Sequence, residues 1–328
     1  MNPTQETHLE SIDPRLAEAN RVLIGDNGVS ADPVGAASLY TEALEAGVGA
    51  AGVRLAVLAA VGVARPANWS EALDRLEEAA ELGHHPAERQ LAVLAGRDDL
   101  ALRTGSAALW RNVRKDIDVA ALLKAPTLRR VSVAPAIALI DGLATKAMCR
   151  WLIAKAKPRL ERGMVRDLAT GQPVPDPIRT GLSAGFGLAD TDLVLVATQE
   201  RLARASGLVV HQQEAPHVLT YEPGQEYRPH FDFMNPTQPA FAEQLAIMGQ
   251  RVATCLTWLN EDYEGGETDF PRASFRYKGK TGDAMLFLNV TQPDRRPDPL
   301  TLHAGLSPTR GRKWLLSQWV RDRVQAIV

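Results

Sequence analysis

Cysteine is scarce in this sequence, and neither positive nor negative charge is in clear excess. Its 328 residues include two cysteines, Cys149 and Cys255, which lie far apart in apolar segments. So few thiols are a poor basis for a disulfide framework, and we expect reduced, buried cysteines in a reducing compartment. The formal net charge is only −2, and no basic patch or stripe indicates a nucleic-acid partner.

Long apolar runs are also missing. Met1–Glu10 lacks the basic region and the following apolar region of a secretory signal. The most apolar stretch, Val48–Val63, contains Arg54 together with many alanines and glycines, and it is shorter than the ~20 residues that span a bilayer. It therefore favours a packed helix. We expect a soluble cytoplasmic protein with no membrane partner.

An internal repeat is present in the first third of the chain. Leu55–Ala59 reads LAVLA, and Leu91–Ala95 reads the same at an offset of 36 (91 − 55). Gly47 and Gly83 keep that offset, and glycine is favoured at the left-handed position that ends a helix. Helix–turn–helix repeats have periods of about 34 residues. The pattern resembles Sel-one-like, tetratricopeptide-like repeats, and the alternative is a helical bundle with chance similarity.

The second part of the chain has a different pattern. From Gly207 onward, short apolar runs alternate with Gly, Pro, Asn and Asp. The runs are Val218–Tyr221, Val252–Leu259, Ala284–Leu288 and Trp314–Val320. Many short strands separated by turn residues are typical of an all-β sandwich or barrel. Upstream, the sequence predicts a helix at Asp98–Leu109, a strand at Val131–Pro135 and an apolar helix at Leu139–Lys157.

Three residues have the spacing of a metal site. His230 and Asp232 lie two apart, so on an extended segment their side chains point the same way. His303 follows about seventy residues later and must come from a distant strand. Two imidazoles and one carboxylate leave open positions on a metal, as in non-haem Fe(II) oxygenases. Lys313, ten positions beyond His303, could hold an acidic co-substrate.

The segment Tyr221–Asp232 (YEPGQEYRPHFD) closely resembles the metal-binding motif of prolyl 4-hydroxylases, which are 2-oxoglutarate- and Fe(II)-dependent oxygenases. The resemblance continues through three later blocks and covers roughly residues 126–323. Those blocks are Arg251–Pro271, Lys280–Leu288 and His303–Val320. Four blocks in the family's order make a specific pattern, whereas a single His-x-Asp would be weak.

The resemblance implies a fold class, which is α+β and multidomain. We predict an N-terminal α-helical repeat solenoid over residues 1–115 and an oxygenase domain over residues 116–328. The oxygenase domain is expected to be a double-stranded β-helix (jelly roll) with flanking helices and a core over about residues 207–322.

The resemblance also assigns roles to individual residues. His230, Asp232 and His303 would bind the metal. Lys313 matches the lysine that pairs with the distal carboxylate of 2-oxoglutarate, and Tyr221 matches a tyrosine that contacts the same co-substrate. We place Thr268 with them because it follows the tight turn at Gly265–Gly266, which brings the backbone close to the site.

Four further residues are predicted to line the pocket or the substrate side. Tyr227 matches a tyrosine beside the peptide substrate, and Trp319 matches a tryptophan near the metal. Arg251 lies at a position sometimes used for substrate binding. Trp258 stands where relatives often carry tyrosine, a departure that affects the co-substrate contacts rather than the metal ligands. The tyrosines could instead be ordinary strand aromatics.

The implied activity is hydroxylation of an unactivated carbon, with conversion of 2-oxoglutarate and O2 to succinate and CO2. The implied cofactors are Fe(II), 2-oxoglutarate and O2, with ascorbate as a possible reductant. The expected substrate is a prolyl residue in a peptide or protein, hydroxylated at C4, and the helical repeats could recruit that protein.

Three alternatives stay open at this point. The same chemistry could act on a free amino acid or small metabolite. The chain could be a repeat-based interaction protein with an inactive oxygenase domain, although all three metal ligands and Lys313 are present. A cupin-type barrel with another metal would leave Lys313 and Trp319 without a role.

Overall fold

The computed structural model describes residues 13–25, 30–63, 65–97, 99–100, 103–166 and 173–325. The expectation about Met1–Glu10 lies outside these residues. The chain divides into two compact units, which are Met1–Leu91 with Asp99–Asp116, and Ala92–Asp98 with Ile117–Ile327. Within the described ranges, every helix falls short of the length and apolarity that crossing a bilayer demands.

The first unit is helical in its described residues. Its helices are α1 (Pro14–Ile24), α2 (Pro33–Glu45), α3 (Gly49–Val61), α4 (Trp69–Glu81), α5 (His85–Leu94, whose last turn belongs to the second unit) and α6 (Ala107–Lys115). Asp32 and Asn68 accept hydrogen bonds from the first turns of α2 and α4, which satisfies otherwise free N–H groups. Gly47 and Gly83 have φ values of 89° and 78° just beyond these two helices. The prediction that both glycines end helices is therefore confirmed.

The helix predicted at Asp98–Leu109 is right only in its last three residues, Ala107–Leu109. Asp98 lies outside the described residues, and residues 103–106 are not helical. The helix begins only at Ala107, because the hydroxyl of Ser106 accepts a hydrogen bond from the backbone N–H of Leu109. The capping serine therefore sets the start of this helix.

The second unit combines four helices and sixteen strands among its described residues. The helices are α7 (Val119–Leu122), α8 (Lys146–Ala156), α9 (Leu193–Ser206) and α10 (Ala242–Met248). The strands are β1 (Leu128–Val133), β2 (Ala136–Ile140), β3 (Glu161–Arg162), β4 (Met164–Arg166), β5 (Pro173–Pro175), β6 (Leu182–Gly185), β7 (His217–Tyr221), β8 (Tyr227–His230), β9 (Arg251–Trp258), β10 (Glu264–Gly265), β11 (Thr268–Phe270), β12 (Phe275–Tyr277), β13 (Ala284–Leu288), β14 (His303–Gly305), β15 (Pro308–Arg310) and β16 (Lys313–Arg321).

Two antiparallel sheets dominate this unit. The larger has the strand order β1-β2-β13-β9-β16-β7-β6-β3, and the smaller has the order β12-β11-β14-β8. Two-stranded ribbons β10-β15 and β4-β5 complete the pairing among described residues. The predicted β-rich second half and an α+β architecture with N-terminal helices are thus confirmed.

The helix predicted at Leu139–Lys157 is only partly right. Ala136–Ile140 forms β2, which pairs on both sides with β1 and β13 and is therefore apolar throughout. A turn follows at Gly142 (φ 66°), and the helix begins at Lys146 after its N-cap Thr145. A short buried strand and the start of a helix have the same apolar pattern, which explains the error.

The core lies between the two sheets. It includes Leu219, Leu256 and Leu315 from the larger sheet and Phe270 from the smaller one. The opposite face of the larger sheet packs on α9 through Leu202. Burial of each such side chain contributes roughly 1.5–3 kcal/mol. This layering places the inward-facing residues of β7, β9 and β16 opposite β8 and β14.

Candidate metal centre

Three donor groups converge where β8 and β14 lie side by side. His230 at the end of β8 is directly opposite His303 at the start of β14. The Nε2 atom of each histidine lies 3.6 Å from a carboxylate oxygen of Asp232. One candidate ligand atom from each residue lies within 4.8 Å of the others. Among the residues that the structure describes, this is the one group of three or more His, Cys, Asp or Glu side chains placed so that they could hold a metal ion.

Backbone carbonyls orient both imidazoles. Nδ1 of His230 lies 2.8 Å from the carbonyl oxygen of Arg228, and Nδ1 of His303 lies 2.9 Å from that of Thr301. A carbonyl only accepts, so each Nδ1 carries the hydrogen and donates it. Nε2 of each ring is then free to face Asp232 with its lone pair, as metal ligation requires.

The protonation states suit a metal. Burial, followed by the neighbouring His303, lowers the pKa of His230. Burial alone would raise the pKa of Asp232, but His303, His230 and Arg251 outweigh it and lower that pKa. Near neutral pH the site therefore offers a neutral imidazole at His230 and an ionised carboxylate, and both are forms that bind cations.

Aromatic rings hold the histidines in place. The ring of Tyr227 stacks on that of His230 with centroids 3.5 Å apart and an interplanar angle of 15°. Phe270 stacks on His303 at 5.4 Å, and Phe287 meets it edge-on at 4.8 Å. Burial makes ionisation of Tyr227 unfavourable and raises its pKa to about 12, so it keeps its phenolic hydrogen.

A cavity opens beside these donors, and eight of the ten predicted site residues line it. They are Tyr221, Tyr227, His230, Asp232, Thr268, His303, Lys313 and Trp319. The structure therefore brings together the predicted metal ligands, the predicted co-substrate residues and two of the four residues predicted for the substrate side.

Lys313 and Thr268 present unpartnered polar atoms in this cavity. The side chain of Lys313 is fully buried, and neither its Nζ nor Oγ1 of Thr268 has a hydrogen-bond partner among the described residues. Burial lowers the pKa of Lys313 to about 7, against the opposing effect of Glu267. A buried amine keeps its positive charge near neutral pH only beside an anionic partner. A carboxylate of a bound diacid fits this requirement.

Tyr221 completes the same end of the cavity. Its ring centroid lies 5.7 Å from Nζ of Lys313, and burial raises the pKa of its phenol. The phenol therefore stays protonated and can donate a hydrogen bond to an anion. The three residues predicted to bind the co-substrate thus supply an ammonium group and two hydroxyl groups.

Arg251 does not line the cavity. Its guanidinium donates two hydrogen bonds to the carboxylate of Glu214, at 2.7 and 2.8 Å, and covers the ring of Trp319 at 4.1 Å. Arg321 donates to the same carboxylate. The bidentate ion pair holds Arg251 behind Trp319, so Arg251 is a support for the cavity wall rather than part of its surface.

Trp258 is also absent from the cavity wall. It is fully buried in the core between the sheets, where its ring meets Tyr277 edge-on at 5.2 Å. Gly279 makes room for it, because a Cβ there would lie 2.7 Å from the indole. Trp258 lies on the same inward face of β9 as Leu256, but it is two residues further along the strand and beyond the cavity. Sequence alternation shows which face a residue lies on, but not where the cavity ends.

Several residues around the donors were not among the predicted site residues. Leu219, Leu256, Gly305, Leu315 and Ser317 also line the cavity. Leu315 and Ser317 lie at every second position between Lys313 and Trp319 along β16 and share their face, so strand alternation already indicates them. Thr254 was missed as well, although its hydroxyl donates to Oδ2 of Asp232 at 2.7 Å.

Comparisons with known proteins identify a matching superfamily and several similar proteins. The 2OG-Fe(II) oxygenase superfamily matches residues 216–321, which hold all three donors and Lys313. Two proteins of Arabidopsis thaliana, Probable prolyl 4-hydroxylase 10 and Prolyl 4-hydroxylase 1, are 33% and 34% identical to it. The alignments cover 58% and 59% of this chain and 70% and 71% of those proteins.

Among solved structures, a viral collagen prolyl hydroxylase from Paramecium Bursaria Chlorella virus-1, in a 2OG complex, is 26% identical to this chain. That similarity covers 56% of this chain and 94% of the viral one, with a TM-score of 0.43.

The donor set and the superfamily match define an enzyme class, which is that of the 2-oxoglutarate- and Fe(II)-dependent dioxygenases. Within that class the chain belongs to the prolyl 4-hydroxylase family, since it is 33% identical to a member of which it covers 70%. The predicted enzyme class, iron and 2-oxoglutarate are confirmed.

Proposed function

We propose that this protein hydroxylates C4 of a prolyl residue in a peptide or protein. The proposal depends on one observation, which is that the His230–Asp232–His303 cluster and the unpartnered ammonium group of Lys313 share one cavity. The names of the curated relatives support a prolyl substrate.

Each residue then has a defined task. His230, Asp232 and His303 would hold Fe(II), and Lys313 would pair with the distal carboxylate of 2-oxoglutarate. When bound, Fe(II) and 2-oxoglutarate supply the oxidising power that hydroxylates a C–H bond, with O2 consumed and succinate and CO2 released. Ascorbate would serve as a reductant.

The remaining cavity residues orient the reactants and exclude water. Thr268 and Tyr221 would donate hydrogen bonds to the diacid beside Lys313. Tyr227 and Trp319 would face the peptide. Their large aromatic surfaces suit the compact, apolar ring of proline. The leucine side chains in the wall lower the local polarity, which strengthens the ion pair at Lys313.

The proposal extends to the fold. The two facing antiparallel sheets are consistent with a double-stranded β-helix over about residues 207–322, within an oxygenase domain over residues 116–328. The helix–turn–helix pairs α2–α3 and α4–α5 are consistent with a repeat solenoid within residues 1–115. A groove lined by α2, α3 and the start of α4 supports a role of these helices in recruiting the protein substrate.

The test is an anaerobic reconstitution with Fe(II), followed by 2-oxoglutarate, O2 and proline-containing peptides. We expect succinate formation and a mass gain of one oxygen on proline. His303→Ala is the matched control, because it removes one metal ligand and should abolish both signals. Free proline and other free amino acids form a parallel arm, and oxygen incorporation there but not in peptides would contradict the proposal.

A further inference from the structure

A buried chain of side-chain hydrogen bonds leads away from the metal ligand Asp232. Its Oδ2 accepts a hydrogen bond from the hydroxyl of Thr254 at 2.7 Å. That hydroxyl accepts in turn from the side-chain amide nitrogen of Asn289 at 3.0 Å. Thr254 and Asn289 are both completely buried. Thr254 lies on β9, and Asn289 lies just beyond β13, the strand that pairs with β9.

The chemistry of the three groups gives this chain one direction. An amide nitrogen only donates and an ionised carboxylate only accepts, whereas a hydroxyl has a single hydrogen. Because Asn289 donates to Thr254, the single hydrogen of Thr254 is left for Asp232. An isolated threonine could rotate its hydroxyl elsewhere, but this one is held toward the carboxylate.

Asn289 is also tied to the second arm of the metal centre. Its backbone carbonyl accepts from the N–H of Asp298 at 3.0 Å. The carbonyl of Asp298 then accepts from the hydroxyl of Thr301, whose own carbonyl orients His303. Asn289 therefore contacts Thr254, which supports the carboxylate of Asp232, and also the loop that leads to His303.

We propose that Asn289 is a positioning residue of the metal centre, which acts through Thr254 to hold the carboxylate of Asp232 toward the two imidazoles. This inference rests on the iron-dependent function proposed above and adds to it. The carboxylate is oriented before metal arrives, so binding does not require the loss of its rotational freedom.

Metal affinity measures this role independently of catalysis. The full-length protein is freed of metal with a chelator and titrated with Co(II) under anaerobic conditions, using equilibrium dialysis and visible absorption. Thr254→Val keeps the shape of the side chain and removes the hydroxyl, so we expect Co(II) affinity to fall about 10–100-fold. Thr254→Ser restores the hydroxyl and should bring affinity back to within threefold of the unsubstituted protein.

A double-mutant cycle tests whether Asn289 acts through Thr254. We expect Asn289→Leu to weaken Co(II) binding on its own and to have no further effect when Thr254→Val is present. Thr220→Val is the matched control, since Thr220 is a buried threonine in the same sheet whose hydroxyl has no partner among the described residues. It should leave affinity unchanged.

The outcomes separate the alternatives. Full affinity in folded Thr254→Val, or additive losses in the double variant, would overturn the inference. If Asn289→Leu does not fold, the comparison of Thr254→Val with Thr254→Ser decides, and equal affinities in these two variants would overturn it. Failure of the unsubstituted protein to bind Co(II) would instead count against the proposed function, and failure to hydroxylate peptides would leave this inference intact.

Discussion

The ammonium group of Lys313 is enclosed by protein with no hydrogen-bond partner among the described residues. Folding must therefore either bury a charge or release a proton. Burial lowers the pKa of Lys313 from its ordinary value of 10.5 to about 7. Above pH 10.5 the lysine is neutral in both the folded and unfolded states. As pH falls toward 7, the unfolded chain takes up the proton first, so the folded state becomes relatively less stable.

Lys313→Met should consequently stabilise the metal-free protein. The free energy of unfolding of the unsubstituted protein should rise from pH 7 to pH 9.5, by at most roughly 1.4 kcal/mol for each pH unit from this residue. The variant should lack this contribution and lose binding of 2-oxoglutarate. Urea denaturation at several pH values measures the difference, and parallel pH profiles for the two proteins would show that the buried lysine is not the cause.

Glu214 presents the opposite electrostatic situation. Burial would raise its pKa, but Arg251 and Arg321 outweigh burial and lower it, so the carboxylate is ionised at neutral pH. Because Arg321 is fully buried, it depends on this partner. Glu214→Gln should destabilise the fold by about 3–5 kcal/mol, since it leaves a buried guanidinium without its counter-charge.

The control for this prediction is Glu264→Gln. Glu264 pairs with Arg310, but both side chains are largely exposed, and such pairs contribute only about 0–1 kcal/mol. Urea unfolding of both variants makes the comparison. A loss of stability in Glu214→Gln no larger than in Glu264→Gln would contradict the assigned role of the buried carboxylate.

At the scale of secondary-structure elements, the close approach of β6 and β7 determines where Tyr221 lies. Gly181, just before β6, has no room for a side chain, because a Cβ would lie 2.5 Å from the carbonyl oxygen of Thr220 and 2.6 Å from the ring of Tyr221. Backbone oxygen cannot yield easily, so the added methyl must displace the ring. The glycine is thus part of the reason that the phenol faces the cavity.

Gly181→Ala should raise the KM for 2-oxoglutarate several-fold, with a smaller change in kcat, because a misplaced Tyr221 weakens binding of the co-substrate. Gly187→Ala is the control, since a Cβ there meets nothing within 4 Å. Steady-state succinate assays measure both constants. An unchanged KM in folded Gly181→Ala would show that the phenol does not depend on this contact.

The family resemblance predicted much of the site, but alternation along a strand does not show where that strand passes beyond the site. Lys313 and Trp319 were assigned by the resemblance; they lie on one face of β16, and both line the cavity. Trp258 follows the same rule on β9, yet it belongs to the core. Thr254 carried no motif, because its importance depends on Asp232, which is distant in the sequence and meets it only through tertiary packing.

At the scale of the whole molecule, the chain combines two units. The second unit contains the metal ligands and the cavity, and the helical unit contains none of the predicted metal ligands or cavity residues. The helical unit contains its own groove, with an apolar floor that includes Leu55 and Leu58 and a rim that includes Val34, Arg65 and Arg75. The side chain of Val34 is 61% exposed despite being apolar. Arg65 pairs with Glu71, which also lines the groove, and Arg75 pairs with Glu78, so the exposed apolar surface rather than a net charge is what suits an extended protein segment.

Val34→Glu tests whether this groove contributes to substrate recruitment. The new carboxylate would place charge on the apolar surface, so we expect the KM for a protein substrate to rise several-fold, while the KM for a short proline peptide and for 2-oxoglutarate stays the same. Leu82→Glu is the matched control, because Leu82 is also an exposed apolar residue of the helical unit (48%) and lies outside the groove. Equal effects of the two substitutions would mean that the groove has no special part in recruitment, and a parallel rise for the short peptide would indicate a change in the catalytic cavity instead.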